Sequence, residues 1–170
     1  MRHAALFALV GVALLTHWVV ADPGYEASES QDEWPSVLLF SAAIAGLCLA
    51  LPALAGIVGG VTVWRASLVA AAGAAVSSVA NILEDGLGWG WAFWAFVLGS
   101  AILLGLLAMA GAIVRSARGA GRLAALVPAG VIAGLVLYVV AGGPIMLATW
   151  LAASVYALAI RPDRVSPAMP

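Results

Sequence analysis

Asn81, Glu84 and Asp85 form the closest group of strongly polar side chains within or beside an apolar segment of this 170-residue chain. On a helix, Asn81 is a neighbour of both carboxylates because they follow it by three and four positions. Two carboxylates beside an amide can hold a cation, hydrogen-bond a polar ligand or couple ligand binding to proton exchange. Unpaired polar groups are costly in lipid, so we expect this group to face other helices or the membrane surface.

His17 is the histidine best placed to join this group. Counted along straight helices, His17 and Asn81 both lie about 20 Å from the same membrane face. A histidine with two carboxylates can bind a divalent metal or relay a proton. We therefore predict an outward-facing binding pocket formed by His17, Asn81, Glu84 and Asp85. Trp150 joins the prediction because its position along the last apolar segment places it in the same half of the membrane.

A purely structural interpretation of the same residues stays open. His17 and Asn81 can hydrogen-bond between helices, while Glu84 and Asp85 are solvated at a helix end. The helix dipole disfavours carboxylates at a C-terminal end, which slightly favours the functional interpretation. No catalytic residue is assigned, and the sequence defines neither a metal nor a cofactor.

Composition determines which solvent surrounds most of this chain. Hydrophobic residues make up 65% of it and charged residues 9%, whereas soluble domains carry roughly 25% charged residues. Lipid must therefore cover most of the apolar surface. Cys48 is the single cysteine, which excludes an internal disulfide and a paired-cysteine metal site. The absence of lysine among the basic residues, together with the abundant alanine and glycine, suggests a GC-rich bacterial genome.

Apolar runs predict an all-α polytopic membrane protein, a single transmembrane helical domain over residues 1–170. We expect a bundle of six transmembrane helices at about 4–21, 36–63, 66–84, 91–114, 123–141 and 145–160, with an acidic outer loop at 22–35. The first run resembles a signal peptide in its basic start, but it is longer than a usual signal core, so we expect it to be retained.

Charge predicts the orientation of these helices. Six crossings bring all seven arginines to the side of the two termini and every acidic residue except Asp163 to the other side. Arginine-rich ends mark the cytoplasmic side of a membrane protein. We therefore expect a cytoplasmic (inner) membrane location with cytoplasmic N- and C-termini. Five or seven crossings would break this separation of charge.

Three local features also predict structure. Pro52 is expected to kink the long second helix, with a functional break as the alternative. The stretch 142–144, Gly-Gly-Pro, is typical of a tight turn between the last two helices. Gly56 and Gly60 form a small-xxx-small pair that lets another helix approach.

Known catalytic and cofactor motifs are absent from the sequence, including metalloprotease, nucleophile-elbow, phosphate-loop and dinucleotide patterns. We expect a binding or assembly module with an outward-facing polar pocket. The alternatives are a small proton- or ion-coupled transporter using the same residues and, more weakly, a membrane enzyme that uses His17 as base on a lipid substrate. We expect membrane lipids as partners and no nucleic acid. A homo-oligomer or a larger membrane complex stays open.

Overall fold

The computed structural model describes residues 1–21, 34–99 and 101–159. Most of the acidic loop predicted at 22–35 lies outside these ranges, as do Arg161, Asp163 and Arg164. Within them every regular element is helical, and no strand occurs. The fold is thus all-α as the composition predicts.

Seven α-helices run through the described ranges. They are α1 (Arg2–Ala21), α2 (Trp34–Val58), α3 (Val61–Asn81), α4 (Ala92–Gly99), α5 (Ala101–Ser116), α6 (Leu126–Val136) and α7 (Tyr138–Ala159). A π-helical turn, Ile82–Gly86, continues α3, and a 3₁₀-helix, Gly119–Ala125, precedes α6.

Five helical segments in the described part of the chain are long and apolar enough to cross a membrane. They are Arg2–Val20, Trp34–Val58, Val61–Gly86, Ala92–Ser116 and Val140–Ala159. A sixth apolar segment, Gly121–Val136, is shorter. A protein with several membrane-spanning helices follows from these lengths and compositions.

The connection between α2 and α3 lies earlier than the sequence predicts. Pro52 sits inside α2, which continues as a helix to Val58. The chain turns instead at Gly59 and Gly60, whose φ angles are +78° and +96°. Only glycine adopts such angles without a steric penalty, so the helix ends there and α3 begins at Val61. The second predicted helix therefore ends five residues early.

The turn predicted at residues 142–144 is also placed elsewhere. The chain reverses near Leu137, between α6 and α7, and residues 142–144 are helical. Ala141 has a non-helical backbone (φ −155°, ψ 19°), so the main part of α7 starts after it. Pro144 then lies in the first turn, where its missing N–H removes no helical hydrogen bond. The Gly-Gly-Pro stretch starts a helix here and does not form the turn.

Helix α2 packs on α1 and α3, α5 packs mainly on α3, and α7 packs on α6 and on α1, which closes the bundle. Ser154 Oγ donates to Ala4 O at 3.0 Å, whereas Trp18 Nε1 donates to Tyr138 O at 2.6 Å. The start of α1 thus lies beside the end of α7, and the two helices are antiparallel. Cys48 Sγ donates to Ala71 O at 3.3 Å and Ser78 Oγ donates to Ser41 O at 2.8 Å, so α2 and α3 are antiparallel as well.

The antiparallel order gives the bundle two chemically different ends. At one end α1 and α3 finish and α2, α4 and α7 begin; because a cavity opens between these helices, it is called the cavity end. This end carries the acidic pair Glu84 and Asp85. The arginine end is the opposite one. All arginines in the described ranges lie there and are exposed: Arg2, Arg65, Arg115, Arg118 and Arg122.

Small residues hold α3 against its neighbours. A Cβ added to Gly105 of α5 would lie 2.5 Å from the backbone nitrogen of Ala70, and one on Gly73 would lie 2.5 Å from the nitrogen of Ile102. Ala70 and Ala74 are fully buried, as their four-residue spacing predicts. Gly56, in contrast, has no described atom within 4 Å of such a Cβ, and one on Gly60 would only reach Ser116 Oγ of α5 at 3.9 Å. Within the described ranges, the Gly56 and Gly60 pair therefore forms no close helix contact.

Candidate functional site

A cavity of about 330 Å³ lies at the cavity end of the bundle. Its lining comes from five elements: α1, α2, the α3 end with its π-turn, α4 and α7. The lining residues are His17, Ser36, Val37, Phe40, Asn81, Glu84, Asp85, Phe93 and Tyr138. Four of the five residues predicted from the sequence thus line one cavity, although α1 and α3 both pack on α2 and have little direct contact.

His17 is positioned by a phenol from the other end of the sequence. Its Nδ1 and the hydroxyl oxygen of Tyr138 are 2.7 Å apart, and its Nε2 lies 3.5 Å from Ser36 Oγ. Only 5% of the side chain is exposed, and its ring packs 5.0 Å from the ring of Phe40. A neutral imidazole accepts at one nitrogen and donates at the other, so the Tyr138 and Ser36 hydroxyls can satisfy both. These contacts fix the orientation of the His17 side chain in the lining of the cavity.

Tyr138 is in turn anchored at the start of α7. The indole nitrogen of Trp18 donates to the carbonyl of Tyr138 at 2.6 Å, just before the non-helical residue Ala141. Trp18 reaches this position because α7 has glycine there: a Cβ on Gly143 would lie 2.6 Å from Trp18 Cβ. The glycine and the tryptophan together fix the backbone of α7 at Tyr138, whose phenol contacts His17.

Asn81 is fixed by α2 and presents an acceptor to the cavity. Its amide nitrogen donates to Val37 O at 3.3 Å and to Ser41 Oγ at 3.2 Å. One turn away, Ser78 Oγ donates to Ser41 O at 2.8 Å. With its amide nitrogen committed to α2, Asn81 is left with its carbonyl oxygen as the group that it can offer to a ligand.

Glu84 and Asp85 lie in the π-turn rather than in the final turn of a regular helix. The amide of Leu87 donates to Ile82 O at 3.1 Å, five residues back, which widens the turn. Single π-turns within α-helices are frequent at functional sites. Both acids are partly exposed and both line the cavity. The wider turn brings the two consecutive carboxylates to the same opening.

Trp150 lies apart from this cavity. Its side chain is fully buried, its ring packs 5.6 Å from the ring of Phe7, and Gly11 leaves space for it. Its Nε1 is the buried side-chain nitrogen or oxygen without a hydrogen-bond partner among the described residues. Phe7 lies ten residues before His17 on α1, about 15 Å nearer the arginine end. Trp150 is a core residue at mid-depth and is not brought to the other four.

Five lining residues were not among the sequence predictions: Ser36, Val37, Phe40, Phe93 and Tyr138. Tyr138 carried a usable signal, because it is a polar aromatic residue at the correct depth. Phe40 and Phe93 carried none, since a phenylalanine in an apolar helix is far more often a packing residue.

Histidine, cysteine, aspartate and glutamate side chains in the described ranges form no group of three that could hold a metal ion. His17 and the two carboxylates therefore share a cavity without forming a ligand shell. Comparison of the chain with protein-family models, curated proteins and solved structures finds no match.

Proposed function

We propose that this protein is a six-span inner-membrane protein with both termini in the cytoplasm, and that it acts as a binding module. The 3₁₀-helix Gly119–Ala125, which continues into α6, supports the sixth crossing. After Arg122, its last three residues cover about 6 Å at roughly 2 Å per residue, and α6 adds about 16 Å. This apolar span of about 22 Å is shorter than a bilayer core of about 30 Å, and a short span is accommodated by local thinning of the bilayer.

The distribution of charge supports the orientation. The described arginines are at one end and Glu84 and Asp85 at the other, and the arginine-rich end of a membrane protein faces the cytoplasm. Exposed tryptophans Trp34, Trp89, Trp91 and Trp94 surround the cavity end, as is typical of a membrane–water interface. On this orientation the cavity opens outward.

The ligand that suits this cavity best is a small organic cation such as an alkylammonium. The observation that carries this proposal is the shared lining: the Asn81 carbonyl and two carboxylates supply acceptors, and the rings of Phe40, Phe93 and Tyr138 supply aromatic surface. Cations bind both to carboxylates and to aromatic faces. The described arginines all lie at the opposite end of the bundle.

Binding of butylammonium to the purified protein in detergent tests the proposal, with butyrate as the anionic control. Saturation-transfer NMR or calorimetry measures affinity for both compounds. We expect butylammonium to bind and butyrate not to bind. Glu84→Gln and Asp85→Asn should each weaken binding about tenfold, because a hydrogen bond to a charged group contributes about 1.5–3 kcal/mol. Asp163→Asn, an acid beyond α7 in the sequence, is the matched control.

Equal binding of butyrate, or an equal loss in Asp163→Asn, would contradict the cation site. Proteoliposomes distinguish binding from transport. The binding module predicts no uptake of labelled butylammonium above that of empty liposomes, whereas protein-dependent uptake would establish the transporter alternative. The unbroken course of α2 through Pro52 favours the binding module, because transporters commonly bind their substrates at discontinuous helices.

A further inference from the structure

A second concave surface lies at the other end of the bundle, between α6 and α7. It is a groove of about 600 Å³ and is almost entirely apolar. The residues that line it include Leu123, Leu126, Val127, Ala152, Val155 and Tyr156. Leu123, Leu126 and Val155 are more than half exposed, so the groove opens to the lipid side.

The groove exists because α6 and α7 are in close contact only toward the cavity end. There Gly130 faces Thr149 and Gly134 faces Met146; a Cβ on Gly134 would lie 2.7 Å from the Met146 side chain. Toward the arginine end, Val127 of α6 and Leu123 of the 3₁₀-helix have larger side chains, where close packing would need glycine. The two helices therefore leave the apolar groove between them.

Two arginines lie beside the groove-lining residues in the sequence. Arg122 immediately precedes Leu123 in the 3₁₀-helix, and Arg118 is the residue before that helix. Both are exposed. Arg122 Nε donates to Ala117 O at 3.1 Å, which orients the guanidinium while its two terminal amino groups stay available. A guanidinium held this way suits the bidentate recognition of a phosphate.

We propose that the groove is a binding site for one anionic phospholipid. An acyl chain occupies the apolar groove between α6 and α7. The headgroup phosphate pairs with Arg122, and Arg118 adds a second positive charge. The occupant follows from charge complementarity, since an apolar groove whose lining residue Leu123 directly follows an arginine matches a molecule with a hydrocarbon chain and a phosphate. This site is independent of the cation cavity at the opposite end.

Native mass spectrometry of the detergent-purified protein tests the site, with phosphatidylglycerol and phosphatidylcholine added at equal concentration. We expect one phosphatidylglycerol per chain to be retained in preference to phosphatidylcholine. Arg122→Gln should reduce that retention about fivefold, because one basic residue near an anionic lipid surface contributes about 1 kcal/mol. Ala152→Leu, an exposed position that fills the groove, should reduce retention of both lipids.

Two matched variants control for general charge and size. Arg65→Gln removes an exposed arginine from the same end but from α3, and Ala108→Leu adds the same volume at an exposed position on α5. Both should retain phosphatidylglycerol as the unaltered protein does. Equal losses in Arg65→Gln and Arg122→Gln would overturn the site and leave only a general lipid shell. A dimer that excludes lipid, or glycerol phosphate binding as tightly as the full lipid, would also overturn it.

Discussion

At the scale of single residues, the cavity depends on a hydrogen bond between groups 121 positions apart in the sequence. The Tyr138 hydroxyl lies 2.7 Å from His17 Nδ1, with both groups largely withdrawn from solvent. A buried polar group that loses its partner is penalised more than an exposed one, because no water replaces the bond. His17 orientation therefore depends on this phenol.

Tyr138→Phe removes the hydroxyl and keeps the ring. We expect the free energy of unfolding to fall by about 1–3 kcal/mol, because His17 loses its closest partner. Unfolding in mixed micelles, followed by circular dichroism, measures the change. Tyr156→Phe, at the arginine end, is the control and should be near neutral. An equal loss in both variants would indicate that the hydroxyl of Tyr138 has no special role.

Trp150 shows that depth in the membrane does not determine which side chains a residue contacts. Counting positions along a helix predicts height in the membrane but not which helices face each other, and here the packing of Phe7 and Gly11 places Trp150 in the core. His17 and Asn81 were predicted by the same count. They reach one cavity because α2, packed between α1 and α3, presents Ser36 to His17 and the adjacent Val37 carbonyl to Asn81.

At the scale of helices, glycine positions determine which elements come into close contact. In a membrane no hydrophobic force drives helices together, so van der Waals packing between small residues is a main source of association. The α3–α5 contact at Gly105 and the α7–α1 contact at Gly143 are examples, with backbone or Cβ atoms where a side chain would lie. Gly56 of α2, in contrast, has no described atom within 4 Å of an added Cβ.

Gly105→Ala and Gly56→Ala should have opposite effects on stability. A Cβ at Gly105 would overlap the Ala70 backbone, and overpacking costs about 1–3 kcal/mol. Gly56 lies in α2 with open space around it, so alanine there should be neutral or stabilise by up to about 1 kcal/mol through helix propensity. Unfolding in mixed micelles measures both. Destabilisation of Gly56→Ala comparable to that of Gly105→Ala would indicate that Gly56 packs on another subunit.

At the scale of the whole molecule, the number of crossings determines on which side each end lies. Six crossings place both termini on one side, whereas five would place them on opposite sides. In the described part of the chain, the apolar segment Gly121–Val136 is shorter than the usual length of a membrane-spanning helix. Whether this segment crosses the membrane therefore decides between six crossings and five.

Cysteine labelling tests the topology directly. In a Cys48→Ala background, single cysteines replace His3, Ser28 and Ala168, and intact spheroplasts are treated with a membrane-impermeant maleimide. We expect labelling of Ser28→Cys in intact cells, and of His3→Cys and Ala168→Cys only after permeabilisation. Opposite accessibility of His3→Cys and Ala168→Cys would contradict an even number of crossings.

Composition and patterning alone determined the class of this protein and its division into apolar segments. These properties are local: a run of apolar residues must be helical in lipid, since each backbone polar group needs a partner within the segment. The spacing of Asn81, Glu84 and Asp85 also placed them together, because neighbours on one helix turn are determined by helix geometry.

Only the tertiary structure decided which residues meet across helices. Tyr138 and Phe93 line the cavity because α7 breaks at Ala141 and because α4 starts beside the π-turn, and neither feature has a distinct sequence pattern. The Gly-Gly-Pro stretch was wrongly predicted as a turn because glycine and proline serve both a turn and the tightly packed start of a helix. Here Gly143 packs against Trp18 as part of a helix, and these two residues are more than 120 positions apart in the sequence.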